Sequence, residues 1–139
     1  MSIVIDASVT LAWLFDDEVT PSIDELFDSI AITAAIVPAL WSLEVANGLQ
    51  VAIRRRRIEP AFRDRSLDRL KQLPIEIDTE TDLHAWGATL RLSDKNGLTP
   101  YDAAYLELAQ RRRARLATLD RLLKTAAGAE GVDALSLLQ

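Results

Sequence analysis

The amino-acid sequence predicts an α/β sandwich built on a mainly parallel sheet. Two observations carry this. Short apolar runs rich in β-branched residues alternate along the chain with longer stretches whose apolar side chains recur at helical spacing. The chain is also 139 residues long and about half apolar, which makes one domain with a sizeable core and leaves no room for a second. No repeat or low-complexity linker divides it, so residues 1–139 are read as a single unit.

Ile3-Val4-Ile5 is a buried strand closed by Asp6, and Val9, Leu11, Ala12, Leu14 and Phe15 mark the helix that follows. Pro21 opens a second helix with Ile23, Leu26, Phe27 and Ile30 at helical spacing, and the run from Ile32 to Val37 is the second strand. Pro38 starts a long helix through Trp41, Val45, Leu49 and Ile53 to the arginine run, and Pro60 opens the next, ending near Leu73-Pro74. Ile75 to Asp78 is the third strand. Thr81 to Leu92 is helical in pattern, Asn96-Gly97 punctuates it, and Thr99-Pro100 begins a helix reaching about Arg112. Leu116-Ala117-Thr118 is the fourth strand. A helix from Asp120 to Ala127, with Gly128 as its C-cap, leads to a last short strand at Val132-Asp133-Ala134.

Composition removes several chemistries. There is no cysteine, hence no disulfide, thiol nucleophile or cysteine-ligated metal. The single histidine, His84, supports neither a histidine pair nor a Ser-His unit, and is expected to be structural. The five glycines form no phosphate-binding loop. The most apolar stretch, Ala31 to Leu43, is too short and too polar to span a membrane, and no signal-type segment opens the chain, so a cytoplasmic location is expected. The net charge of −5 argues against a nucleic-acid binder, but the basic residues bunch at Arg54 to Arg57 and at Arg111 to Arg113 with Arg115. Both runs fall at expected helix C-termini, where they either offset the helix dipole or meet phosphates or an acidic partner.

Carboxylates remain. Asp6 follows the first strand, Glu44 lies in the long helix, Asp102 stands near a helix start and Asp120 follows the fourth strand. In an open parallel sheet, strand ends and neighbouring helix starts share one crevice. Four acids there repel one another unless a cation compensates them, and oxygen-only ligands favour Mg²⁺ or Mn²⁺. Such an ion makes its bound water acidic enough to attack a phosphodiester without help from a histidine. Each acid also has a plainer explanation. Asp6 and Asp120 fit as helix N-caps, Thr99 to Asp102 as a capping-box variant, and Glu44 as half of a structural pair with Asn47. Ser8 and Thr118, each two positions from an acid, suit as supporting hydroxyls or as ordinary turn and strand residues.

With these residues laid out, the sequence resembles the PIN-domain ribonucleases, and within them the VapC toxins of toxin–antitoxin pairs. Met1 to Ser8 resembles the opening strand with its first acid, Trp41 to Asn47 the E-x-x-N element, Leu98 to Ala109 the third block and Leu116 to Asp120 the T-x-D element. The resemblance implies a three-layer α/β/α sandwich with a five-stranded parallel sheet, and a metal-dependent endoribonuclease. It assigns Asp6, Glu44, Asp102 and Asp120 as catalytic acids and ligands of Mg²⁺ or Mn²⁺, with Ser8, Asn47 and Thr118 in support. It further implies an RNA substrate, a homodimer and a VapB-like antitoxin. Arg121-Leu122-Leu123 stands where some relatives carry a further acid. The rival readings are a haloacid-dehalogenase-like phosphatase, against which Ser8 occupies the general-acid position; a receiver-like domain, against which no lysine falls at a strand end; and a PIN fold kept as a non-catalytic binding module.

Overall fold

The structure is a computed structural model that describes residues 2–137. Four parallel strands, β1 (Ile3–Ile5), β2 (Ala35–Val37), β3 (Ile75–Ile77) and β4 (Arg115–Ala117), lie in the order β3-β2-β1-β4. Their connections are helical: α1 (Ala7–Leu14) and α2 (Pro21–Thr33), then α3 (Trp41–Arg54) and α4 (Pro60–Lys71), then α5 (Thr81–His84), α6 (Ala88–Asn96) and α7 (Pro100–Arg112), with α8 (Arg121–Ala129) after β4. Parallel strands need such crossovers, and the helices bury the sheet. All residues of β1 and β2 are buried accordingly, and Leu106, Leu108, Leu116 and Leu123 complete the centre of the core.

The chain runs outward from β1 to β3 and then returns to place β4 on the other side of β1. This reversal sets a topological switch point between β1 and β4, with Val4 paired to Ile36 on one side and to Leu116 on the other. The crevice outside the carboxyl ends of such strands is where open α/β sheets bind ligands.

The expected five-stranded sheet has four strands among the described residues. The fifth position is a single parallel bridge between Leu116 and Ala134, held by Leu116 N–H to the Asp133 carbonyl at 3.0 Å and Leu135 N–H to the Leu116 carbonyl at 2.9 Å. The run from Val132 to Ala134 makes this one bridge and no ladder. Other boundaries shift for local reasons. Helix α2 continues through Ile32, which is exposed, so β2 begins only at Ala35. Pro38 forms a turn, its carbonyl accepting from Trp41 N–H at 3.0 Å, and α3 starts at Trp41. The expected helix from Thr81 breaks before Gly87, whose backbone (φ −114°, ψ −104°) is not helical. Gly128 lies inside α8; Glu130 caps that helix, and Gly131 supplies the left-handed residue at φ 75°.

Two features fix the helices that matter below. Gly48 in α3 gives α1 room for close approach, since a Cβ there would stand 2.4 Å from Leu11 Cδ1. A buried ion network ties α7 to β3: the Arg111 guanidinium donates to both oxygens of Asp78, at 3.1 and 2.7 Å, and to both of Glu107, at 3.1 and 2.7 Å. Arg111 holds the Asp78 carboxyl below the usual carboxylate range. Removing one partner of a buried ion pair strands the others without compensation. Arg111→Ala is therefore expected to lower the unfolding free energy by about 3–5 kcal/mol in urea denaturation; a loss well under 1 kcal/mol would show that the network does not hold α7 in place.

Candidate active site

Asp6 leaves β1 and caps α1, because its extended backbone (φ −94°, ψ 176°) turns the side chain onto the first helical turn. Oδ1 accepts from Val9 N–H at 3.1 Å and from Ser8 Oγ at 2.6 Å, and Oδ2 accepts from Thr118 Oγ1. Thr118 is fully buried at the end of β4, and its hydroxyl also accepts from Asp120 N–H at 2.9 Å. Ser8 Oγ accepts from Leu119 N–H at 3.0 Å. Ser8 and Thr118 thus clamp the β1 end to the β4 end across the switch point. The Asp6 side chain is buried, and that burial pushes its carboxyl above the ordinary range against three hydrogen bonds that pull it down.

Asp120 caps α8 through one oxygen, Oδ1 accepting from Leu122 N–H at 2.9 Å and Leu123 N–H at 3.1 Å. Asp102 stands at the third position of α7, where the cap is the Thr99 hydroxyl, accepting from Asp102 N–H at 3.1 Å. Burial raises the Asp102 carboxyl, and the charge of Asp120 raises it further. Glu44 is half-buried near the start of α3 and is also raised, first by burial and then by the charges of Asp102 and Asp6. Each of the four acids is therefore near enough to at least one other to act on it electrostatically.

The structure places Asn47 one turn beyond Glu44 on α3, exposed, and gives Glu44 a different partner: Tyr105 Oη donates to Glu44 Oε1 at 2.5 Å. Tyr105 is buried on α7, one turn after Asp102, and its phenol is pushed far above its usual range, so it stays a donor. It was missed from the sequence, although its place three residues after an acid on the same helix was visible. Trp41 was passed over as well: its Nε1–H donates to Thr10 Oγ1 at 3.1 Å, and Thr10 Oγ1 donates to the Asp6 carbonyl at 2.7 Å, which braces the acid-bearing ends of α1 and α3 together.

Among the described residues no three of these carboxylates converge closely enough to hold an ion in the arrangement seen. Each of Asp6, Glu44 and Asp120 is turned onto a protein donor instead. The donor set still fits a hard divalent cation: all ligands would be oxygens, Asp120 keeps one oxygen outside its cap, and three of the acids resist ionisation. His84 lies elsewhere, on α5, with Nε2 3.5 Å from Glu80 Oε1. A cavity of about 580 Å³ is also apart from the acids, between Phe15, Arg57 and Phe62 at the far ends of α1 and α3.

The arginine runs have separate fates. Arg111, Arg112 and Arg115 are engaged within the chain, with Asp78 and Glu107, with Glu76 at 3.2 Å and with Asp133 at 2.9 Å. Arg57 pairs with Asp17 at 2.8 Å and Glu18 at 2.5 Å and stacks over Phe15, whereas Arg54, Arg55 and Arg56 are exposed.

The PIN-domain model matches residues 3–129 of this chain. The chain belongs to the PIN domain family. PIN domains are in general nucleases and typically depend on divalent metal. Among solved structures, this PIN domain is similar to PAE2754 from Pyrobaculum aerophilum, at 25% identity and a TM-score of 0.70, covering 96% of this chain and 92% of that one. It shares the fold of FitAcB from Neisseria gonorrhoeae at 15% identity and a TM-score of 0.67, with 96% of each chain covered. It also shares the fold of a toxin–antitoxin complex from Klebsiella pneumoniae at 18% identity and a TM-score of 0.63, covering 99% and 98%. No curated protein matches in sequence. No helix among the described residues is long and apolar enough to cross a membrane.

The raised acids carry a stability consequence. A carboxyl whose pKa is raised on folding destabilises the fold once pH exceeds its ordinary value, here 3.8, and the penalty becomes complete above the raised value. Asp102→Asn removes that charge, so without added metal it is expected to raise the Tm by about 1–5 °C at neutral pH, with the gain fading as pH falls toward 3.8 and absent below it. A lower Tm at neutral pH, read by calorimetry, would contradict the mutual repulsion of the acids.

Proposed function

We propose that this PIN domain is the toxin of a toxin–antitoxin pair, a metal-dependent endoribonuclease of the VapC kind that hydrolyses RNA phosphodiester bonds. One observation supports it above the rest: Asp6 is held at the β1–β4 switch point by Ser8, Thr118 and Val9 N–H, with Glu44 and Asp102 close enough for their charges to act on it and on each other. Asp6, Glu44, Asp102 and Asp120 would hold Mg²⁺ or Mn²⁺. When bound, such an ion supplies an acidic water and offsets negative charge on the phosphate.

The chain's own residues then have definite work. Ser8 and Thr118 orient Asp6 and keep the β4 end, with Asp120, against it. Tyr105 keeps Glu44 turned toward the crevice, and Asn47 stands one turn further along the helix. The cognate partner is a VapB-like antitoxin, a reading supported by the shared fold with a toxin–antitoxin complex. A homodimer is supported by the outer face of α5 and the turn after it, where Leu83 and Trp86 are 74% and 93% exposed. Exposed apolar side chains in such a cluster mark contact surfaces.

The test is cleavage of end-labelled total RNA by the purified protein with Mn²⁺, with EDTA, and by Asp6→Asn and Asp102→Asn. Discrete fragments are expected only with metal and intact acids, and each substitution is expected to cost at least about 100-fold in rate. Full activity in either variant would remove the acids from the mechanism, and no cleavage by the native protein would favour a binding module. Trp86→Glu is expected to convert the dimer to a monomer in sedimentation, since a charge in a buried interface goes uncompensated; an unchanged dimer would place the contact elsewhere.

A further inference from the structure

A cavity with no part in the proposed chemistry lies on the two helices that carry Glu44 and Asp102. It has a volume of about 350 Å³ and sits between the turn before α3, α5 and the first turn of α7, with Leu40, Asp82, Ala85, Pro100 and Tyr101 in its wall. It adjoins the acids on two elements. Tyr101 immediately precedes Asp102, and Leu40 lies one helical turn before Glu44. Asp82, Ala85 and Thr89 face it, one position out of phase with the outward-facing Leu83, Trp86 and Leu90, so the cavity and the proposed dimer face are different sides of one segment.

We propose that this cavity is a nucleobase subsite, taking the unpaired, amino-bearing base next to the cleaved phosphodiester, stacked on the Tyr101 ring and donating to the Asp82 carboxylate. The inference rests on the ribonuclease reading. Its own warrant is the wall. Tyr101 is 64% exposed although it borders a cavity lined by Leu40, Ala85, Pro100 and Ala104 as well as by Asp82, which leaves a ring free to stack. Sequence-selective proteins take RNA bases out of single strands in this way, on aromatic rings with hydrogen bonds to the base edges. The charge at the rim decides what can enter. With the Asp82 carboxylate in the wall, a phosphate or carboxylate is repelled, whereas an exocyclic amino group finds an acceptor. Adenine, cytosine and guanine carry such a group and uracil does not.

The experiment maps cut sites in a randomised single-stranded RNA pool with Mn²⁺ for the native protein, Tyr101→Ala, Tyr101→Phe and Asp82→Asn. The native protein is expected to disfavour uracil at one position flanking the cut. Tyr101→Ala should lower kcat/KM about tenfold or more and flatten that preference, at unchanged Tm because the ring is exposed. Tyr101→Phe should retain both, since stacking needs only the ring. Asp82→Asn, which adds a donor, should admit uracil. An unchanged preference in Tyr101→Ala overturns the subsite while leaving the ribonuclease intact. A changed sedimentation coefficient with unchanged cut sites also overturns it and makes the cavity a protein contact. A native protein that cuts nothing in the pool, or in total RNA, brings down the ribonuclease reading and this one with it.

Discussion

The junction of β1 and β4 is where the rest of this molecule takes its bearings. A buried carboxylate at a strand end is costly, and Asp6 is tolerated because three donors from two segments close on it: the Val9 N–H and the Ser8 hydroxyl from α1, and the Thr118 hydroxyl from beyond β4. The same hydroxyls take backbone N–H groups from Leu119 and Asp120, so the bonds that satisfy the acid also join the two strand ends. The switch point, its crevice and the placing of Asp120 follow from this one cluster.

The other two acids are delivered by helices, and their positions depend on packing further away. Helix α3 is drawn against α1 by the missing side chain at Gly48 and by the Trp41–Thr10 bond. Helix α7 is buried along Ala103 to Ala109 and anchored at its far end by Arg111. Each anchor lies on the same helix as the acid it serves and reaches a partner on another element: Leu11 and Thr10 on α1, and Asp78 after β3. The acids themselves oppose folding, since Asp6, Glu44 and Asp102 all ionise less readily than free carboxyls. Burial is the first cause in each case and the neighbouring carboxylates add to it, an opposition between stability and site chemistry.

Much of this was legible in the sequence, for a physical reason. Strand runs, prolines at the first turns of α2, α4 and α7, and an acid following a strand are all local patterns, and each came out within a few residues. What escaped depends on contacts between distant segments. The partner of Glu44 is 61 residues away, at Tyr105, rather than the neighbouring Asn47 that helical spacing suggested. Arg111 read either as a helix end offsetting the dipole or as a contact for phosphate or an acidic partner, because nothing local shows that Asp78, 33 residues earlier, lies within its reach. The fifth strand failed for a simpler cause: Val132 to Ala134 has strand-like residues but makes only one bridge.

That single bridge has an effect on how the protein behaves among its own copies. An open sheet ends in two rows of unsatisfied backbone groups, which invite pairing with any extended chain that drifts past. On one flank, β3 is only three residues long and carries Glu76, paired with Arg112, a charged edge that discourages such pairing. On the other flank the segment after α8 lies across β4 and uses both backbone groups of Leu116. The tail is thus less a strand than a lid on a sticky seam, keeping concentrated protein from zipping into aggregates.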